Sequence, residues 1–186
     1  MATMILLPDA DISNHPNWVA VGATDNWDCL KDDNGGTSYV KASVDTATMV
    51  IGFADPDDVT PVNDGVAEAS IASIDSIRFL SSGKSTHRFN PSLVDIAYET
   101  PSITAESCSY NASRLAYETI NGTAQAYSDG NGGSADWTYS DLERLEMICT
   151  KSGTVEVYLS YLVLEVTYTA AITTVTDNAT FFGANF

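Results

Sequence analysis

The stretch Val155-Glu-Val-Tyr-Leu-Ser-Tyr-Leu-Val-Leu-Glu-Val-Thr-Tyr168 (VEVYLSYLVLEVTY) decides the fold class of this chain. Its valines, leucines and tyrosines favour an extended backbone, and a run of this length without Gly or Pro forms a long strand. Through its centre both faces are apolar, with Tyr158, Leu162, Leu164 and Val166 assigned to one and Val157, Leu159, Tyr161 and Val163 to the other. A strand buried on one side alternates more sharply. The second face is therefore expected to meet an arm of this chain or another subunit.

Immediately upstream, Trp137-Thr-Tyr-Ser-Asp-Leu-Glu-Arg-Leu-Glu-Met147 begins like a helix. Ser140 and Glu143 have capping-box spacing, with Thr138 and Asp141 as a weaker alternative. The segment runs at once into Ile148, Thr150 and the Lys151-Ser-Gly153 turn, too short for an amphipathic helix. We expect one helical turn at about residues 139–144, with Trp137 and Leu142 plugging an end of the core, then a strand over 145–150.

Working outward, short apolar runs alternate with Gly, Asn, Asp and Pro breaks. Strands are expected at 18–23, 37–43, 46–53, 92–98, 102–110 and 114–120, with one helical turn near Asp25 and a turn at Asn121-Gly122. In residues 69–81, Ile71, Ile74, Ile77 and Leu80 recur every third position, which by period alone indicates a helix. The β-branched content favours a strand instead, provided a bulge near Asp75 restores the register. These elements predict an all-β chain, an antiparallel β-sandwich of jelly-roll type with short helical turns and extended terminal arms. The expected organisation is an N-terminal arm over 1–17, a sandwich domain over 18–169 and a C-terminal tail over 170–186, the tail ending in Phe181, Phe182 and Phe186.

The 186 residues carry eight Lys and Arg against 25 Asp and Glu, a formal net charge of −17. That charge repels nucleic acid and anionic membrane, so neither is an expected partner. The N-terminus lacks a basic segment and no apolar run reaches membrane-spanning length, so a soluble protein made in a cytoplasm is expected. Asn111, Asn121 and Asn178 fit the glycosylation acceptor pattern and are read as turn residues.

Catalytic, cofactor and metal sites are all expected to be absent. Cys29, Cys108 and Cys149 are odd in number and far apart, which excludes a dense disulfide framework though not a single bridge, and they are read as three buried or semi-buried thiols. His15 and His87 show no zinc-ligand spacing with them. No nucleophile elbow occurs, and the glycine-rich stretches DDNGGTSYV and SDGNGGSAD lack the lysine of a phosphate loop. Calcium is the most credible ion, at Asp55, Asp57 and Asp58, at Asp32, Asp33 and Asn34, or at Asp129 and Asn131. None completes a known loop pattern, and capping of turn amides is the preferred role. Trp18, Trp27 and Trp137 are read as packing residues, with a carbohydrate platform as the alternative.

NWDCLKDDNGGTSYV (residues 26–40), IGFADP (51–56), WTYSDLERLEM (137–147) and VYLSYLVLEVTY (157–168) together resemble a β-sandwich module of tailed-bacteriophage structural proteins. The matching residues are Trp27, Asp32, Asp33, Thr37, Tyr39 and Val40, then Trp137 and Thr138, then Glu165, Val166 and Tyr168. The resemblance implies a non-enzymatic virion protein on the capsid surface, a decoration or cement protein that stabilises the head shell. Its partners would be the major capsid protein and neighbouring copies of itself, in a homo-oligomer such as a trimer. The alternative is a tail- or fibre-associated module that binds a carbohydrate or host receptor.

Overall fold

The computed structural model describes residues 1–14, 16–32, 36–60, 63–86, 93–101, 103, 106–109, 116–130 and 132–172. His15, His87, Asp33, Asn34, Asn131, Asn111, Asn178 and the three tail phenylalanines lie outside them. Two antiparallel sheets pack face to face in a jelly-roll-like sandwich. The first contains β11 (Glu118–Asn121), β8 (Ile71–Ser85), β13 (Val157–Ala170), β4 (Tyr39–Ala42) and β3 (Trp18–Val21) in that order, with β1 (Ala2–Leu6) also paired to β13. The second runs β10 (Glu106–Ser109), β9 (Leu93–Thr100), β12 (Glu146–Ser152), β5 (Thr48–Phe53) and β2 (Pro8–Asn14). A small hairpin, β6 (Val59–Thr60) with β7 (Asn63–Asp64), fills the break where the aspartates and prolines cluster.

Within the segment expected as an N-terminal arm, residues 1–17, β1 and β2 are built into the sandwich. Ala2 pairs with Tyr168 and Leu6 with Leu164 in one sheet, and Pro8 faces Phe53 in the other. Pro8 opens an edge strand, where a missing N–H costs no ladder bond. Met4 and Leu6 are core residues. One short segment thus stitches both sheets together.

β13 is central, but its faces differ from the alternation expected. Leu159 pairs with Gly83 and Tyr161 with Ser82, so Ser160 is an extra, bulged residue. The phase of the strand changes there. Val157 and Leu159 before the bulge, and Leu162, Leu164 and Val166 after it, all join the core. Burying each such side chain stabilises the fold by about 2 kcal/mol. Tyr158 and Tyr161 remain half-buried, while Val163 is fully buried outside the core cluster. Deleting Ser160 would turn one half of the strand inside out.

β8 solves its three-residue period by the same device. Thr167 pairs with Ser76 and Tyr168 with Ile74, which leaves Asp75 bulged as the sequence predicted. A second skip, between Thr169–Ser73 and Ala170–Ile71, bulges Ala72. Two bulges let Ile71, Ile74 and Ile77 all reach the core despite their spacing.

Two one-turn helices close corners. In α2 (Tyr139–Leu142) the capping box is Thr138 with Asp141: Asp141 N donates to Thr138 Oγ1 at 3.2 Å and Thr138 N donates to Asp141 Oδ2 at 2.9 Å. The Ser140–Glu143 pair is not the cap. Trp137 and Leu142 enter the core as expected. α1 (Asn26–Leu30) follows Asp25, yet the Asp25 side chain makes no cap bond. Asp11 takes that role from β2, accepting from Asn26 N at 3.0 Å and Trp27 N at 2.9 Å. Asn121-Gly122 is not a hairpin turn either: Gly122 N donates to Phe79 O, and a Cβ there would lie 2.6 Å from the Phe79 ring. The glycine supplies room for an aromatic ring.

Candidate functional site

The bulged start of β8 also shapes the surface. Past β11, the chain returns along the free side of β8 through bridges between Ile77 and Gln125 and between Ile74 and Trp137. Between the bulges and this returning segment lies an open trough of about 450 Å³. Ser73, Asp75, Tyr127, Asp136 and Trp137 give it its chemistry.

Each side chain is placed by a specific interaction. Trp137 is 4% exposed, and its Nε1 donates to Gln125 O at 2.9 Å, which fixes the indole in the core beside the trough. Behind it, Tyr98 meets the indole edge-on with ring centroids 6.0 Å apart. Tyr127 is half-buried and belongs to a loop closed by Asp129. The Asp129 carboxylate accepts from Ser134 N and Ala135 N, both at 3.1 Å, and Gly130 and Gly132 adopt positive φ. Those amide bonds hold Asp129 below the usual carboxylate range. Asp129 therefore has a structural role as a turn clamp. Asp75 accepts from Ser73 Oγ and Thr169 Oγ1, each at 3.0 Å. Asp136 is exposed at the rim.

Such a trough brings a tyrosine, a largely buried tryptophan and two aspartates to the lining of one concavity large enough for a small ligand. Sugars are bound in this way, with C–H faces against rings and hydroxyls donated to fixed acceptors. Of the three tryptophans, Trp18 is 2% exposed in the core and Trp27 packs against the core with Lys31 Nζ 5.1 Å from its ring. Trp137 alone of the three lines the trough. Tyr127 escaped the sequence analysis because nothing in its loop announces the long-range pairing that brings it to β8.

A second hollow, about 280 Å³, lies beside Asp9, Ile12, Asp55, Glu143, Arg144 and Glu146. Burial, then the Asp58 and Asp57 carboxylates, pushes Asp55 above the ordinary carboxylate range. Asp9 is raised by burial first and by Asp55 and Asp58 next. Among the described residues no group of three or more His, Cys, Asp or Glu is placed to hold a metal ion. Cys29 and Cys149 are buried thiols outside any disulfide, and Cys108 lies in β10 with its side chain outside the described residues. No helix among the described residues is long and apolar enough to cross a membrane.

The outward face of the first sheet is aromatic. Tyr39 and Tyr158 have ring centroids 5.2 Å apart, and Lys84 Nζ lies 4.6 Å from the Tyr117 ring centroid and 5.2 Å from that of Tyr158. Burial pushes the Tyr117 hydroxyl up to about 12. Tyr158 donates to Glu156, which also pairs with Lys41 at 3.7 Å, and Arg78 pairs with Glu165 at 2.6 Å. Glu156 and Glu165 on this face thus each have a cationic partner.

No protein-family model and no curated protein matches the chain. A solved structure of similar outline is the N-terminal cellulose-binding domain of β-1,4-glucanase C from Cellulomonas fimi. Its TM-score is 0.32 at 12% identity, over 86% of this chain and 93% of that one. A likeness at that level carries no argument about function.

Proposed function

We propose that this chain is a non-enzymatic recognition module that binds a carbohydrate in the trough, and that it does so on a virion. The observation that carries the binding reading is the trough itself, lined by Tyr127, Trp137, Asp75 and Asp136. The viral setting rests on the resemblance of residues 26–40, 51–56, 137–147 and 157–168 to phage structural modules. Tyr127→Ala removes the stacking ring without touching the core. It is expected to weaken glycan binding about tenfold in titration calorimetry while leaving the melting curve in place. An unchanged affinity would move the site elsewhere, and no signal on a broad glycan array would sink the carbohydrate reading. Turnover of a bound oligosaccharide, lost in Asp75→Asn or Asp136→Asn, would replace it with a hydrolase.

The capsid-decoration reading is favoured by a different observation, the tyrosine face of the first sheet, on which Glu156 and Glu165 each have a cationic partner. Tyr and Arg are enriched where proteins meet, and paired charges lessen the repulsion between two surfaces of a strongly acidic chain. Tyr158→Ser is expected to weaken cosedimentation with capsids under this reading and to leave glycan binding unchanged. Residue 170, expected as the start of the C-terminal tail, still belongs to the first sheet. Ala170 closes β13, and Ala171 N donates to Ser70 O at 2.9 Å.

A further inference from the structure

The trough's charge narrows the class of sugar. Asp75 and Asp136 both line it, and neither forms an ion pair among the described residues. The hydroxyls of Ser73 and Thr169 satisfy one acceptor position on each Asp75 oxygen but leave its charge unneutralised. Around them is a chain of net charge −17. A uronic, sulfated or phosphorylated sugar would bring like charge into a concave acidic site, where the field of the whole chain adds to the local repulsion.

Resting on the carbohydrate reading above, we infer that the trough takes a cationic amino sugar, a glycan carrying free amines. A protonated amine meets both remaining needs of the site. It donates charge-assisted hydrogen bonds to carboxylates, and it is attracted to the face of a tyrosine such as Tyr127. A neutral N-acetylated sugar of the same shape keeps the stacking and loses the charge. Selectivity between the two therefore reports on Asp75 and Asp136.

The experiment compares glucosamine oligomers, N-acetylglucosamine oligomers and galacturonic acid oligomers of equal length, by titration calorimetry with the full chain at mildly acidic pH, where the sugar amines are protonated. The glucosamine oligomer is expected to bind at least about tenfold more tightly than its acetylated counterpart at low salt, with the margin shrinking as salt rises. Because any cation is drawn to so acidic a chain, the deciding variants are matched in charge. D75N with D136N should abolish the margin, while D25N with D32N, two exposed aspartates away from the trough, should preserve it. D136N alone, at an exposed rim position, guards against a folding defect from D75N and should reduce the margin.

Equal affinity for the amine and the acetylated sugar, or equal loss in both double variants, would overturn the amino-sugar inference and leave the carbohydrate reading standing. Preference for the galacturonic acid oligomer would overturn it as well. Failure of all three probes, with a different neutral glycan bound through Tyr127, would also reject the inference alone. Failure on every glycan would reject both.

Discussion

Asp11, Asp45, Asp129 and Asp141 differ sharply from Asp9 and Asp55, although all six belong to the same acidic excess. The first four hold backbone amides: Asp11 those of α1, Asp45 those of Thr46 and Gly153, Asp129 those of Ser134 and Ala135, Asp141 that of Thr138. Each replaces water with fixed donors, the arrangement in which a carboxylate stabilises its surroundings. Asp9 instead stands beside Asp55 and Asp58, and Asp55 beside Asp58 and Asp57, at the exposed side of a shallow hollow. The difference teaches that the charge of −17 is not uniform in effect: it combines turn clamps that support the fold with a local cluster that opposes it.

Removing clamps should therefore destabilise, and Asp11→Ala should do so most. It leaves two amides of α1 without their acceptor and loosens a helix whose Cys29 and Leu30 are fully buried. A loss of about 2 kcal/mol is expected in chemical denaturation. Thr138→Ala breaks a local capping box instead, so about 1 kcal/mol is expected. If Asp11→Ala proves the milder of the two, the remote clamp is not what secures α1.

Asp55→Asn should shift stability the other way. It relieves like-charge contact with Asp58 and Asp57 and should raise the denaturation midpoint at neutral pH, by a few tenths of a kcal/mol after solvent screening. The sign extends to pH. Because the folded-state affinity of Asp9 and Asp55 for protons is raised, their destabilisation is present at neutral pH and is relieved as pH falls through their folded range. Asp129 is held low, so its support is present above the unfolded carboxylate range and is lost as pH falls through its own lower range. Mild acidification should first stabilise the protein, and stronger acid should then loosen the 128–135 loop. Thermal melts across pH check the first step and amide exchange at Ser134 and Ala135 the second.

The same contrast explains how much was legible beforehand. The all-β sandwich, the one-turn corner with Trp137 and Leu142, and the bulge at Asp75 were readable because each depends on neighbouring residues. The cap of α1 was not, since Asp11 lies 15 residues from Asn26 and no local spacing links them. The faces of β13 were misassigned because a bulge at Ser160 leaves no mark on a run that is apolar on both sides. Residues 1–14 lacked strand signals of their own, because pairing with β13 and β5 supplies what propensity does not. In the trough, Trp137 was singled out but Tyr127 was not, since the two come together through segment pairing rather than sequence proximity.

A difference between two small effects tests the clamp at Asp45. Thr46 beside it has φ of 60°, a left-handed conformation unfavourable for a β-branched residue. It is held there from two sides: Thr46 N donates to Lys151 O at 2.9 Å and to Asp45 Oδ1 at 3.1 Å, while Asp45 also accepts from Gly153 N at 2.8 Å. Glycine adopts the same backbone freely but gains freedom in the unfolded chain, so the relief of strain and the entropic cost oppose each other. Thr46→Gly should therefore stabilise the wild-type corner by less than about 1 kcal/mol. In an Asp45→Ala background the corner is less tightly imposed, and the same substitution should yield a smaller gain. Equal gains in the two backgrounds, measured by denaturant unfolding, would mean that the carboxylate does not help impose the strained conformation.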